Sequence, residues 1–126
     1  MKIATLLGYI SIVAATAIGA SSSSAQTGKT TVPAAFSTCR TCHNAAAGQA
    51  NKVGPNLFGI FGKPAASTPG FAYSAALKKS NLRWDARTLD EFLASPIKKV
   101  PGTKMPIATP DATKRKAIIE FLMTAK

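Results

Sequence analysis

Apolar residues fall at helical spacing most clearly in two stretches of the chain. Leu89, Phe92 and Leu93 stand at i, i+3 and i+4 behind Asp85, which predicts a helix that Asp85 caps and that runs to Ser95, where Pro96 stops it. Ile118, Phe121 and Leu122 repeat the spacing with Lys114, Arg115 and Lys116 outside, predicting a C-terminal helix that starts at Thr109 or Pro110. Two shorter helices are expected. Pro33 suits the first position of one that carries Ala34, Ala35 and Phe36 towards Cys39, and Ser74 suits the cap of another through Ala75, Ala76, Leu77 and Lys78. Residues 44 to 72 hold Gly48, Gly54-Pro55, Gly59, Gly62, Pro64, Pro69 and Gly70, and residues 96 to 110 are rich in proline, so both stretches read as loop. No segment alternates with period 2. The pattern predicts an all-α fold with long loops and no internal repeat. The expected core is Phe36, Leu57, Phe58, Phe71, Leu89, Phe92, Leu93, Ile118 and Phe121.

The N-terminus changes the picture of compartment. Lys2 precedes an uncharged run from Ile3 to Ala20, followed by Ser21 to Ser24 and Ala25, which reads as an export signal cleaved before Gln26. The competing reading is an uncleaved membrane anchor, for which eighteen uncharged residues diluted by Gly8 and Gly19 are short. No cysteine follows the run, which excludes lipid attachment there. The expected organisation is a signal over residues 1–25 and one domain over 26–126, placed in the periplasm or, less favourably, anchored to the periplasmic face of the inner membrane.

Charge narrows the partners. The 126 residues hold 16 Lys+Arg against 5 Asp+Glu, a net +11, and losing residues 1–25 lowers it only to +10. Partners met by electrostatics must therefore be anionic: acidic proteins, anionic lipid or nucleic acid. Export argues against nucleic acid. A domain this small buries only about 60–65% of its unfolded surface, and two cysteines cannot build a disulfide framework. Something else has to contribute core.

Both cysteines and the single histidine fall in Cys39-Arg40-Thr41-Cys42-His43, the C-x-x-C-H pattern of covalent c-type haem attachment. Two thiols one helical turn apart can each bond a haem vinyl group, and the next residue is then carried under the iron as proximal ligand. A thioredoxin-like dithiol would need a preceding strand, and none is predicted. Zinc fails on ligand count, since the motif offers three ligands and no further Cys or His completes a closed site. A sixth iron ligand is available from Met105 or Met123 after cleavage. Met123 sits in the last helix, where methionine usually fills core. Met105 stands in Val100-Pro101-Gly102-Thr103-Lys104-Met105-Pro106, where the prolines forbid helix and an apolar side chain is buried only by pointing inward, so Met105 is the expected ligand.

In these motifs the chain resembles the class I cytochromes c of the mitochondrial and bacterial soluble type. The resemblance runs from Phe36 to Leu122: CRTCH at 39–43, GPNLFGIFG at 54–62, PGFAYS at 69–74, Trp84, FL at 92–93, PGTKM at 101–105 and the terminal IIEFL helix. It implies a cytochrome c fold wrapped around one covalent haem c, with His43 and Met105 on the iron. It also implies that the Pro55 carbonyl orients His43 and that Tyr73 and Trp84 donate hydrogen bonds to a haem propionate. Four positions depart from the family pattern: Phe92 replaces a tyrosine, Ile107 replaces an aromatic, Lys63 stands where an arginine is expected, and a glycine is missing near Val32.

The function this implies is a monomeric periplasmic carrier of single electrons, not an enzyme. It would shuttle between membrane redox complexes, a quinol-oxidising cytochrome bc complex and a terminal oxidase or reductase, docking through Lys52, Lys98, Lys99 and Lys104. The alternative is a haem enzyme or gas sensor with an open sixth position. That reading needs a distal acid or base, and the mature chain has no second histidine and no acid expected near Met105.

Overall fold

The computed structural model describes residues 31–126, and the expected export signal over residues 1–25 lies outside them. A single 3-10 turn, Ala34–Phe36, runs into α1 (Ser37–Arg40). Then follow α2 (Ala75–Lys79), α3 (Ala86–Ala94), α4 (Pro96–Lys99) and α5 (Ala112–Thr124). Among the described residues β-pairing is limited to one isolated antiparallel bridge, Pro64 with Arg83. The fold is helical with long loops, as the pattern of apolar positions predicts.

Local chemistry sets the helix ends. Ser74 accepts the Leu77 N–H, Asp85 accepts the Thr88 N–H at 2.7 Å, and Asp111 accepts the Lys114 N–H at 3.0 Å. Each side chain satisfies a donor that the first turn leaves without a helical partner. Pro33 lies just outside the first turn with an extended backbone rather than at its first position. The C-terminal helix begins after Asp111, not at Thr109 or Pro110, because Asp111 is the residue that can cap it.

The stretch after Pro96 is not entirely loop. Proline at the first helical position needs no N–H, so Pro96 opens the four-residue α4, closed by Val100 N–H to the Pro96 carbonyl at 2.8 Å. Val100 is thereby buried.

The core gathers α3, α5 and the first turn. Phe36 meets Phe121 with ring centroids 4.7 Å apart and planes tilted by 57°, which is how the first and last segments cross. Trp84 lies 5.1 Å from Phe92. Leu89, Leu93 and Ile118 are buried as expected, joined by Ile60, Leu77, Ile119, Leu122 and Ala125. Leu57 and Phe71 are only partly buried. Phe58 is a correction: it is 37% exposed. The Gly59 N–H donates to the Ala125 carbonyl at 2.6 Å, and the turn so fixed buries Ile60 while leaving Phe58 over a surface recess beside Val32 and Phe121. Met123 is a second correction, since it is 41% exposed on α5 rather than filling core.

Candidate functional site

A cavity of about 520 Å³ opens between the Cys39–Leu57 region and the segment after α4. Cys39, Cys42, His43, Pro55, Tyr73, Trp84 and Met105 all line it, and Met123 does not. The remaining wall is mostly apolar, with Phe36, Leu57, Leu89, Phe92 and Leu122 among its members.

The cysteines and the histidine are delivered by the end of α1. Cys42 and His43 both donate their N–H to the Cys39 carbonyl, at 3.1 and 2.8 Å, so the three residues close one turn. Both thiols are free and half-buried. Burial pushes the Cys39 thiol up, and the neighbouring Cys42 adds to the effect against an opposing backbone hydrogen bond.

His43 is held on one side only. Its Nδ1 lies 2.7 Å from the Pro55 carbonyl, and because a carbonyl only accepts, Nδ1 carries the proton. The other nitrogen, Nε2, is left with a lone pair, the form in which imidazole binds a metal. Burial holds the imidazole below its ordinary range, the Pro55 carbonyl opposes that shift, and the Lys52 charge adds to it. Gly54 makes the arrangement possible. A methyl group on its Cα would stand 2.3 Å from His43 Cε1, so only glycine lets this backbone pass beside the ring. The Gly54 N–H also donates to the Cys42 carbonyl at 2.8 Å, stapling the passing strand to the motif.

Met105 comes from the opposite direction in sequence. The Thr103 N–H donates to the Val100 carbonyl at 3.0 Å, and the Met105 N–H to Thr103 Oγ1 at 3.3 Å. Gly102 sits at φ +89°, and a methyl there would approach Ala76 Cβ to 3.2 Å, so the turn depends on glycine for both reasons. Beyond Met105, the Thr109 N–H donates to the Leu93 carbonyl at 2.7 Å, and Arg115 Nη1 donates to the carbonyls of Thr109 and Pro110 at 3.1 and 2.6 Å.

Tyr73 and Trp84 each lay an aromatic ring on the cavity wall. The Tyr73 hydroxyl accepts the Thr68 N–H at 3.3 Å, which leaves its own proton to donate. Asp111 also lies on the lining, against the expectation of no acid in this region; its carboxylate is exposed and engaged in capping α5. Of the four expected docking lysines only Lys104 lies on the cavity lining, where Lys114 joins it. Lys52 donates to the Arg40 carbonyl, and Lys99 to Glu91.

No protein-family model matches the chain. Known proteins match it well. It is 44% identical over 97 residues to cytochrome c2 iso-2 of Magnetospirillum molischianum, covering 75% of this chain and 97% of that one. The chain belongs to the class I c-type cytochromes. It is 51% identical over 73 residues to cytochrome c2 of Rhodoplanes tepidamans, covering 58% of this chain and 68% of the relative. Among solved structures it resembles cytochrome cH from Methylobacterium extorquens, with a TM-score of 0.67 and 47% identity over 71% of this chain and 91% of that one. It is therefore an electron carrier rather than an enzyme, and its prosthetic group is one covalent haem c.

The cavity of this cytochrome fits that group on its own evidence. Its volume lies within the usual range of about 300–1,000 Å³ for small-molecule sites. Two free thiols reach the lining one turn apart, and the single histidine presents an unprotonated nitrogen whose partner nitrogen is fixed by backbone. Sequence reasoning missed the closeness of Gly54 to the histidine and the bonds of Arg115. The first was visible only as a glycine within GPNLFGIFG, and the second only as one charge on the outside of the last helix.

Proposed function

We propose that this cytochrome is exported to the periplasm, loses residues 1–25, and there moves single electrons between membrane redox complexes with His43 and Met105 as the two axial ligands. The observation that carries the reading is that one cavity collects Cys39, Cys42, His43 and Met105 from two separate regions of the chain. A bound haem supplies a one-electron iron couple, whose potential a thioether ligand raises. What the chain contributes is attachment, orientation and exclusion. Cys39 and Cys42 fasten the group, Pro55 and Gly54 set the plane of the His43 ring, and Met105 closes the far side against small ligands. Tyr73 and Trp84 offer donors for a propionate. With His43 and Met105 both holding the group, no position would remain for a substrate, which separates a carrier from an open haem enzyme. The one acid on the lining, Asp111, is exposed and tied to the start of α5, where its carboxylate accepts the Lys114 N–H.

Docking uses positive charge. Lys104 stands on the cavity lining and Lys98 is exposed on α4 close by in sequence, so these two head the set of Lys52, Lys98, Lys99 and Lys104. Lys99, whose ammonium is engaged by Glu91, contributes less. The partners that fit are acidic faces of a quinol-oxidising bc complex and of a terminal oxidase or reductase, met through a small and transient interface.

Two measurements test this reading. Intact mass of the protein from a periplasmic fraction should equal a chain beginning at Gln26 plus one haem; recovery only from detergent-extracted membrane with residues 1–25 intact would replace export with anchoring. With a Debye length of about 10 Å at about 0.1 M salt, raising ionic strength should slow the bimolecular electron transfer rate roughly tenfold, and Lys104→Glu should slow it without altering the spectrum. Rates indifferent to salt and to that reversal would show that the lysines do not steer docking.

A further inference from the structure

The segment that carries Met105 makes few backbone hydrogen bonds of its own. Among the described residues, positions 104 to 110 make one backbone bond to another element, from the Thr109 N–H to the Leu93 carbonyl. The rest of the hold comes from side chains, and it converges on two neighbouring carboxylates of α3. Asp90 Oδ1 accepts from Arg115 Nε at 2.7 Å, while Arg115 Nη1 reaches the carbonyls of Thr109 and Pro110. Glu91 Oε2 accepts from Lys99 at the end of α4, and Glu91 Oε1 from Arg87 at 3.0 Å. Successive residues on a helix point about 100° apart, so Glu91 takes the end of α4, from which the Met105 segment departs, while Asp90 takes the far end of the segment through Arg115.

We propose that Asp90 and Glu91 clasp the two ends of the Met105 segment through Arg115 and Lys99, which makes Arg115 a positioning residue for Met105. The inference rests on Met105 being the sixth ligand. Arg115 is suited to the task because its planar fork binds a carboxylate and two carbonyls at once, which the ammonium of a lysine cannot do in the same geometry. Its side chain is only 12% exposed, so the pair with Asp90 is screened far less than the Lys116–Glu120 pair, which lies 3.8 Å apart in open solvent on the same helix. The hold on His43 contains nothing comparable, since it consists of a backbone carbonyl and a glycine. The two sides of the cavity can therefore open independently, and the Met105 side opens when the clasp is released.

The test uses the ferric haem-loaded protein and two readouts. The first is the rate of imidazole binding, which requires Met105 to leave. The second is amide hydrogen exchange across residues 101–111, which depends on the segment and not on the iron ligand. Arg115→Met should speed both by about tenfold or more, consistent with losing charge-assisted hydrogen bonds. Asp90→Asn should give a smaller rise in the same two readouts, and Arg115→Lys should leave most of the defect. Lys116→Met, which removes an equal charge, should stay within about twofold of the parent. The clasp is refuted if Arg115→Met and Asp90→Asn leave both readouts within that range. It is also refuted if exchange rises equally over residues 42–57, which would mean general loosening. Should Arg115→Met not yield loaded protein, Asp90→Asn and Glu91→Gln carry the same test. If Met105→Ala leaves imidazole binding unchanged, the ligand assignment fails instead, and exchange over residues 101–111 still decides the clasp.

Discussion

Residues 31–84 bring the cysteines and the histidine to the cavity, residues 85–126 bring Met105, and the two regions are held together by different chemistry. No Asp or Glu occurs before Asp85, so nothing in the first region can form a side-chain ion pair with its own residues. It is knitted by amides and turns instead. Asn56 donates to the carbonyls of Ala46 and Gln49, both at 2.8 Å, and its N–H reaches Asn51 Oδ1 at 2.8 Å, while Asn44 donates to the Ala50 carbonyl. All five acids fall in the second region, and each is engaged: Asp85 and Asp111 cap helices, and Asp90, Glu91 and Glu120 pair with cations. The side that is to be covalently fastened does without carboxylates, and the side that holds only through a thioether is braced by them. Hydrogen bonds between neutral amides respond little to pH or salt, whereas carboxylate contacts respond to both.

The seam between the regions should fail most heavily. Phe36 is 1% exposed and packs its ring on Phe121, so Phe36→Ala should cost about 3–5 kcal/mol in denaturant unfolding of the haem-loaded protein. Exchange should rise on both sides of the cavity; a rise on one side alone would mean that the seam does not couple them.

Gly54→Ala should cost about 1–3 kcal/mol, because His43 or the strand beside it must shift to admit a methyl group. Its effect should concentrate in residues 42–57, seen as faster exchange at the Gly54 and Leu57 amides, with residues 101–111 close to the parent. Spread of the effect into the Met105 segment would contradict the division.

Capping gives a smaller and sharper contrast. Ser74→Ala should cost about 1 kcal/mol whatever the pH, since a hydroxyl cap does not titrate in the accessible range. Asp111→Asn should matter only where the carboxylate is ionised. Asp85, Glu91 and Asp111 are all held below the ordinary carboxylate range: Asp85 and Asp111 first by the backbone N–H groups they accept, and Glu91 first by Lys99 and then by Arg87. A depressed folded pKa stabilises above the unfolded value of about 4 and is lost as pH falls through the lower folded value. Acidification from about pH 5 towards pH 2 should therefore raise exchange in residues 85–126 before it does so in residues 42–57. Simultaneous loosening of both would show that the carboxylates do not distinguish the two sides.

What could be read from sequence follows the range of the interactions concerned. The caps at Ser74 and Asp85 were legible because cap and capped amide lie three residues apart. Asp111 is hidden as a cap because Pro110 beside it also looks like a helix start, and α4 is hidden because a proline that stops one helix also serves as the first residue of the next. Phe58 was expected in the core because hydrophobicity does not say which way a turn points; the carbonyl of Ala125, far away in sequence, decides that. At the site, the C-x-x-C-H spacing and the proline-bounded Met105 are local signals. The approach of Gly54 to His43 and the reach of Arg115 to Asp90, Thr109 and Pro110 exist only once the chain is folded.

Whether Met105 closes the cavity opposite a histidine fixed by backbone is read from the spectrum of ferric Met105→Ala. Haem should stay covalently attached through Cys39 and Cys42, the methionine-to-iron charge-transfer band at the red end of the visible spectrum should disappear, and the potential should fall. A variant that keeps the band and the low-spin spectrum of the parent would show that another residue occupies the sixth position.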